Sequence, residues 1–78
     1  MTATALRVRA RLRLRQDLPS PAERRAIRKA AGLSQGELAE AIGVTRQAVS
    51  HWEAGTRTPQ GAMLDRYVSA IRTMRGAA

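Results

Sequence analysis

From residue 6 to 15 apolar and basic residues alternate strictly, Leu-Arg-Val-Arg-Ala-Arg-Leu-Arg-Leu-Arg. A period of two places Arg7, Arg9, Arg11, Arg13 and Arg15 on one face of an extended strand, whereas a helix would scatter them. The pattern therefore predicts a strand. Asp17-Leu18-Pro19-Ser20-Pro21 ends it, because a residue before proline avoids the helical region and proline donates no backbone hydrogen bond. The chain accordingly divides into a basic N-terminal arm over residues 1–19 and a compact domain over 20–75.

Beyond the boundary the period changes to that of helices. Ser20-Pro21-Ala22-Glu23 reads as an N-cap, a first-turn proline and a glutamate placed to close a capping box. Ala26, Ile27, Ala30 and Ala31 are expected on the inner face of a helix over 21–31, and Gly32 supplies its left-handed end. Ser34 and Glu37 repeat the cap for a short second helix with Leu38, Ala39 and Ile42 inside. Gly43 stops that helix and Thr45 caps the next, so only Gly43-Val44 separates them and the two must cross sharply. The third helix spans 46–54, with Val49 and Trp52 inward and Arg46, Gln47, Ser50 and His51 outward, and Gly55 ends it. Thr58-Pro59 reads as the cap of a last helix, in which Leu64, Tyr67, Val68, Ile71 and Met74 form an apolar stripe. That stripe exceeds what one small core obviously requires, and part of it is expected to meet a second subunit.

Composition narrows the function. A chain of 78 residues holds one core and little room for an elaborate catalytic site. With no cysteine there is neither a disulfide scaffold nor a thiolate metal site, and the single histidine leaves no triad or metal cluster to assemble. No enzyme activity, catalytic residue, metal or cofactor is expected. A formal charge of +8 points to a polyanionic partner. No apolar run approaches the roughly 20 residues that span a bilayer, and Arg at alternate positions does not fit a signal peptide. No membrane association and a cytoplasmic location are expected.

From Gln35 to Trp52 the pattern resembles the helix-turn-helix of the Cro and phage-repressor family, also called the xenobiotic-response-element-like family, and with the first and last helices the resemblance covers roughly residues 20 to 72. Matching residues are Ser34-Gln35, Leu38-Ala39, Ile42-Gly43, Val49, Ser50, Trp52-Glu53 and Gly55. The resemblance implies an all-α, lambda-repressor-like domain of four to five helices. It also implies a bacterial or phage-encoded DNA-binding transcriptional regulator, most simply a dimeric repressor on a pseudo-palindromic operator. Carried over residue by residue, it gives base-edge reading to Arg46, Gln47 and His51 and a thymine-methyl contact to Ala48. Arginine and glutamine have the bidentate chemistry that guanine and adenine require.

Gln35 corresponds to the family's phosphate-binding glutamine, and Thr45, Ser50 and Arg57 are further phosphate candidates. Glu53 is expected to form a structural ion pair with Arg28. A competing reading makes the same fold an antitoxin or protein-interaction adaptor, since fold alone does not fix function. RNA binding is disfavoured because Trp52 and Tyr67, the only aromatics, lie on apolar faces. The arm lies outside the resemblance. Its alternation predicts either an antiparallel two-stranded ribbon with a second subunit, stacking Leu6, Val8, Ala10, Leu12 and Leu14 and doubling the basic face, or a disordered tail along a DNA groove.

Overall fold

A computed structural model describes residues 2 to 77, which form five helices: α1 (Ala3–Asp17), α2 (Pro21–Ala30), α3 (Gln35–Ile42), α4 (Arg46–Ala54) and α5 (Ala62–Ala77). No strand occurs among the described residues. Of the expected arm, Met1 lies outside them.

The central helices follow their local signals. At α3 the capping box is complete: Glu37 N donates to Ser34 Oγ and Ser34 N to Glu37 Oε1, both at 3.0 Å. The Ser20 hydroxyl at α2 accepts from Glu23 N and donates to the Glu23 carboxylate, a variant of the expected box. Thr45 Oγ1 accepts from Ala48 N at the head of α4. Each such cap contributes about 1 kcal/mol. Gly43 (φ +86°) and Gly55 (φ +76°) end α3 and α4 in the left-handed region.

α3 and α4 cross at Gly43-Val44 and pack together on α2 and α5. Leu38, Ala39, Ile42, Val49 and Trp52 meet Tyr67, Ile71 and Met74 in one core. The Trp52 and Tyr67 rings are tilted at 40° with centroids 4.8 Å apart, a favourable offset geometry. Arg66 of α5 donates to the carbonyl of Ile42 at 3.3 Å and so covers the end of α3.

Four expectations change. Residues 6–15 are helical, not a strand, so the intersubunit ribbon is overturned. Arg, Leu and Ala are strong helix formers, and a helix satisfies its own backbone whereas a lone strand needs a partner. Thr2 caps it by accepting from Ala5 N, and α1 docks lengthwise on α5 with Leu14 and Leu18 half-buried. The arginines are scattered round the helix, and none is buried.

Second, the inner face of α2 is not Ala26 and Ala30, which are exposed, but Arg24, Ile27, Arg28 and Ala31. Positions 24, 28 and 31 stack at helical spacing, while 26 and 30 lie roughly 110–150° round from the middle of that face. Third, α5 starts at Ala62, not after Thr58. Pro59 is buried in the preceding loop, and Gly61 (φ +58°) turns the chain into the helix. Fourth, Leu64, Tyr67, Val68, Ile71 and Met74 are all at most 4% exposed within a single chain, so the stripe leaves nothing over for a partner.

Candidate nucleic-acid interface

α4 is held from behind so that its N-terminal half faces outward. Val49, Trp52 and Glu53 are buried, while Arg46 and Gln47 are exposed and Ala48, Ser50 and His51 are half-buried. Arg46, Gln47 and His51 make no side-chain hydrogen bond among the described residues, leaving their donors and acceptors available.

Two buried arginines of α2 fix that orientation. Arg28 and Glu53 form the expected pair in bidentate geometry, with Nε to Oε2 at 2.6 Å and the second nitrogen to Oε1 at 2.9 Å. Arg28 also donates to the carbonyl of Leu33. Burial pushes the Glu53 carboxyl up. Hydrogen bonds from Arg28 and Gln35 and the charges of Arg28 and Arg25 outweigh it, holding the carboxyl below the usual range. The pair with Glu53 likewise raises Arg28 against the cost of its own burial.

Arg24 was not singled out from the sequence. It donates to the carbonyls of Trp52 at 2.6 Å and Pro19 at 3.1 Å, with its guanidinium 5.5 Å from the centroid of the Tyr67 ring. Among the described residues it has no carboxylate partner; its charge meets the negative end of the α4 dipole and an aromatic face instead. The missed signal was arginine at positions 24 and 28, four apart on the face that meets α4.

The predicted contacts fall around two concavities on either side of α4's start. The first, about 280 Å³, lies between Thr45, Gln47, Ala48, His51, Arg57 and Thr58. Its far wall is a loop folded back on the helix, because Thr56 N and Arg57 N both donate to the carbonyl of His51. The second, about 520 Å³, is bounded by Arg25, Arg28, Ser34, Gln35, Gly36 and Arg46. There the capping box engages the amides of Ser34 and Glu37 and leaves those of Gln35 and Gly36 at the positive end of α3.

Gln35 sits here as expected, but its Nε2 donates to Glu53 Oε1 at 3.2 Å, tying the side chain to the ion pair. Thr45 is exposed while acting as the cap. Ser50 borders neither concavity, so the structure does not bring it together with the other phosphate candidates. Arg25, absent from the sequence-based set, joins Arg46 on the second concavity.

A short helix leading through a two-residue turn into an outward-facing second helix, with cations on both flanks, is an arrangement made to enter a groove. A profile of the helix-turn-helix family matches residues 25–73. The chain belongs to the helix-turn-helix family. Its kind is that of the Cro and phage-repressor proteins, DNA-binding transcription regulators, in line with the resemblance carried by Gln35, Gly43 and Trp52. Neither a curated protein nor a solved structure gave a match. This helix-turn-helix protein has no cluster of three or more metal-ligating side chains among the described residues. Nor is any of its described helices long and apolar enough to cross a membrane.

Proposed function

We propose that the protein is a sequence-specific repressor that places the N-terminal half of α4 in a major groove, with Arg46, Gln47, Ala48 and His51 at base edges. The observation that carries this reading is the division of α4: Val49, Trp52 and Glu53 are clamped to the body, while Arg46 and Gln47 stand in solvent between two basic concavities. A groove about 12 Å wide admits one such helix. Gln35 with the open α3 amides, Thr45 and Arg57 supply phosphate contacts that fix its register.

Binding as a dimer to a pseudo-palindrome rests on the shortness of α4, whose exposed side chains reach too few base pairs for selectivity alone. The half-sites are then centred about 10 bp apart. Selecting bound duplexes from a random pool tests the reading. Recovery of a repeated, inverted half-site supports it, and a pool with no enriched sequence rejects it.

A further inference from the structure

The arginines of α1 have no part in the reading just proposed, and their placement gives them one. Arg11 donates to the carbonyl of Gly61 and pairs with Asp65, both at 3.3 Å, while Asp17 pairs with Arg72. Both anchors advance in the same chain direction, so α1 lies parallel to α5. The turns before Arg11 project past the start of α5. Among the described residues no hydrogen bond or ion pair ties these turns to the rest of the molecule, and Leu6 and Val8 are more than half exposed.

The edge they project from is the edge of the reading face. The loop that leaves α4 brings Arg57 beside Gln47 and His51 and ends at Gly61, on which Arg11 rests. Four residues span at most about 14 Å, the rise of about four phosphates along one strand. The Arg11 anchor therefore lies within about four phosphates of Arg57, in reach of a duplex that extends beyond α4 on that side.

We propose that α1 is a second DNA-binding element whose projecting Arg7 and Arg9 contact backbone phosphates flanking the base pairs read by α4. This rests on the helix-turn-helix reading of α4. Charge chooses the occupant. α1 carries cations on several sides and no acid before Asp17, and the guanidinium fork matches phosphate geometry. A second copy docked through α1 would set five arginines against five, and like-charge apposition disfavours it. The apolar pair Val8 and Leu12 is bordered by Arg7, Arg11 and Arg15, so it offers no continuous stripe for a partner helix.

The test compares the full chain with the double variant R7Q/R9Q, which keeps the Arg11 anchor and helix-forming residues. Affinity is measured against salt on a selected duplex trimmed to the half-sites and on the same duplex extended by about one turn, roughly 10 bp, on each side. On the long duplex the log–log slope should shrink by about 0.9 for each phosphate that an arginine no longer neutralises, with preference over a scrambled site unchanged. On the trimmed duplex the two proteins should converge. The single variants R7Q and R9Q, each with a slope expected to be smaller by about 0.9, keep the test open should the double variant fold poorly. Equal slopes on the long duplex overturn the proposal, and so does weakened self-association with unchanged DNA binding. If the unaltered chain shows no preference for the selected site, the reading of α4 fails, while the slope comparison on any long duplex still decides the role of α1.

Discussion

The guanidinium of Arg24 on α2 donates to the main-chain carbonyl of Trp52 in the last turn of α4, 2.6 Å away and shielded from water. One side chain thereby joins α2 to the end of α4. Replacement by alanine removes a charge-assisted bond and leaves the buried carbonyl with only the longer 3.3 Å bond from Gly55 N, at a cost of about 1.5–3 kcal/mol. Lysine should recover only part of this, because a single ammonium does not reproduce a planar fork over two carbonyls. Chemical denaturation of Arg24→Ala and Arg24→Lys measures both values.

Removing one member of the Arg28–Glu53 pair leaves the other buried and uncompensated. Glu53→Ala should cost about 3–5 kcal/mol, whereas a double replacement by apolar residues of similar volume should cost much less. Equal losses in the single and double variants would show that the pair contributes through shape alone.

The same carboxylate makes stability depend on pH. Its folded pKa is held below the ordinary value, so its contribution is complete above the unfolded pKa of about 4.3 and is lost as pH falls through the folded value. The unfolding free energy should therefore decline below about pH 4, and Glu53→Gln should flatten that decline. Denaturation midpoints between neutral and acid pH test this.

Gln47→Ala should cost about 1–3 kcal/mol of affinity for the selected site and relax preference at one base position. Gln35→Ala should weaken all duplexes alike. Because its amide also supports Glu53, it should in addition lower folding stability by about 1 kcal/mol. Competition binding against single-base variants, with a thermal melt of each protein, distinguishes the two.

Gly55→Ala should destabilise by more than about 1 kcal/mol, because the position has φ +76° and an added Cβ would lie 3.2 Å from Pro21 Cγ. At Gly32, equally left-handed but open, the same change meets only the backbone penalty. The difference between the two melting shifts isolates the contact with Pro21.

How much the sequence reveals depends on how local each signal is. Ser34, Glu37, Gly43, Thr45 and Gly55 act on backbone groups within a few residues of themselves, so α3 and α4 are legible to their ends. The alternation over 6–15 misleads because a period of two specifies a strand only where a partner strand exists, and there is none among the described residues. Without one, the helix propensity of Arg, Leu and Ala decides. Arg24 is harder still. A charged residue reads as surface unless its acceptor is known; Glu53 lies 25 residues from Arg28 and is legible as its partner only through the family resemblance, and the acceptor of Arg24 is a main-chain carbonyl, which sequence does not mark. The candidate contacts other than Ser50 gather at one face because their helices are correctly bounded, and Arg25 escapes notice because it sits on α2, outside the two-helix motif.

The side chains that hold α4 and the side chains proposed to read DNA are different sets. Val49, Trp52 and Glu53 carry the packing and the ion pair, while Arg46, Gln47 and His51 make no side-chain hydrogen bond among the described residues. Substitutions at the latter three positions can then change which operator is addressed without reopening the question of whether the chain folds. A repertoire of regulators with separate targets is thus accessible from this one scaffold by short mutational steps, each intermediate remaining a folded protein.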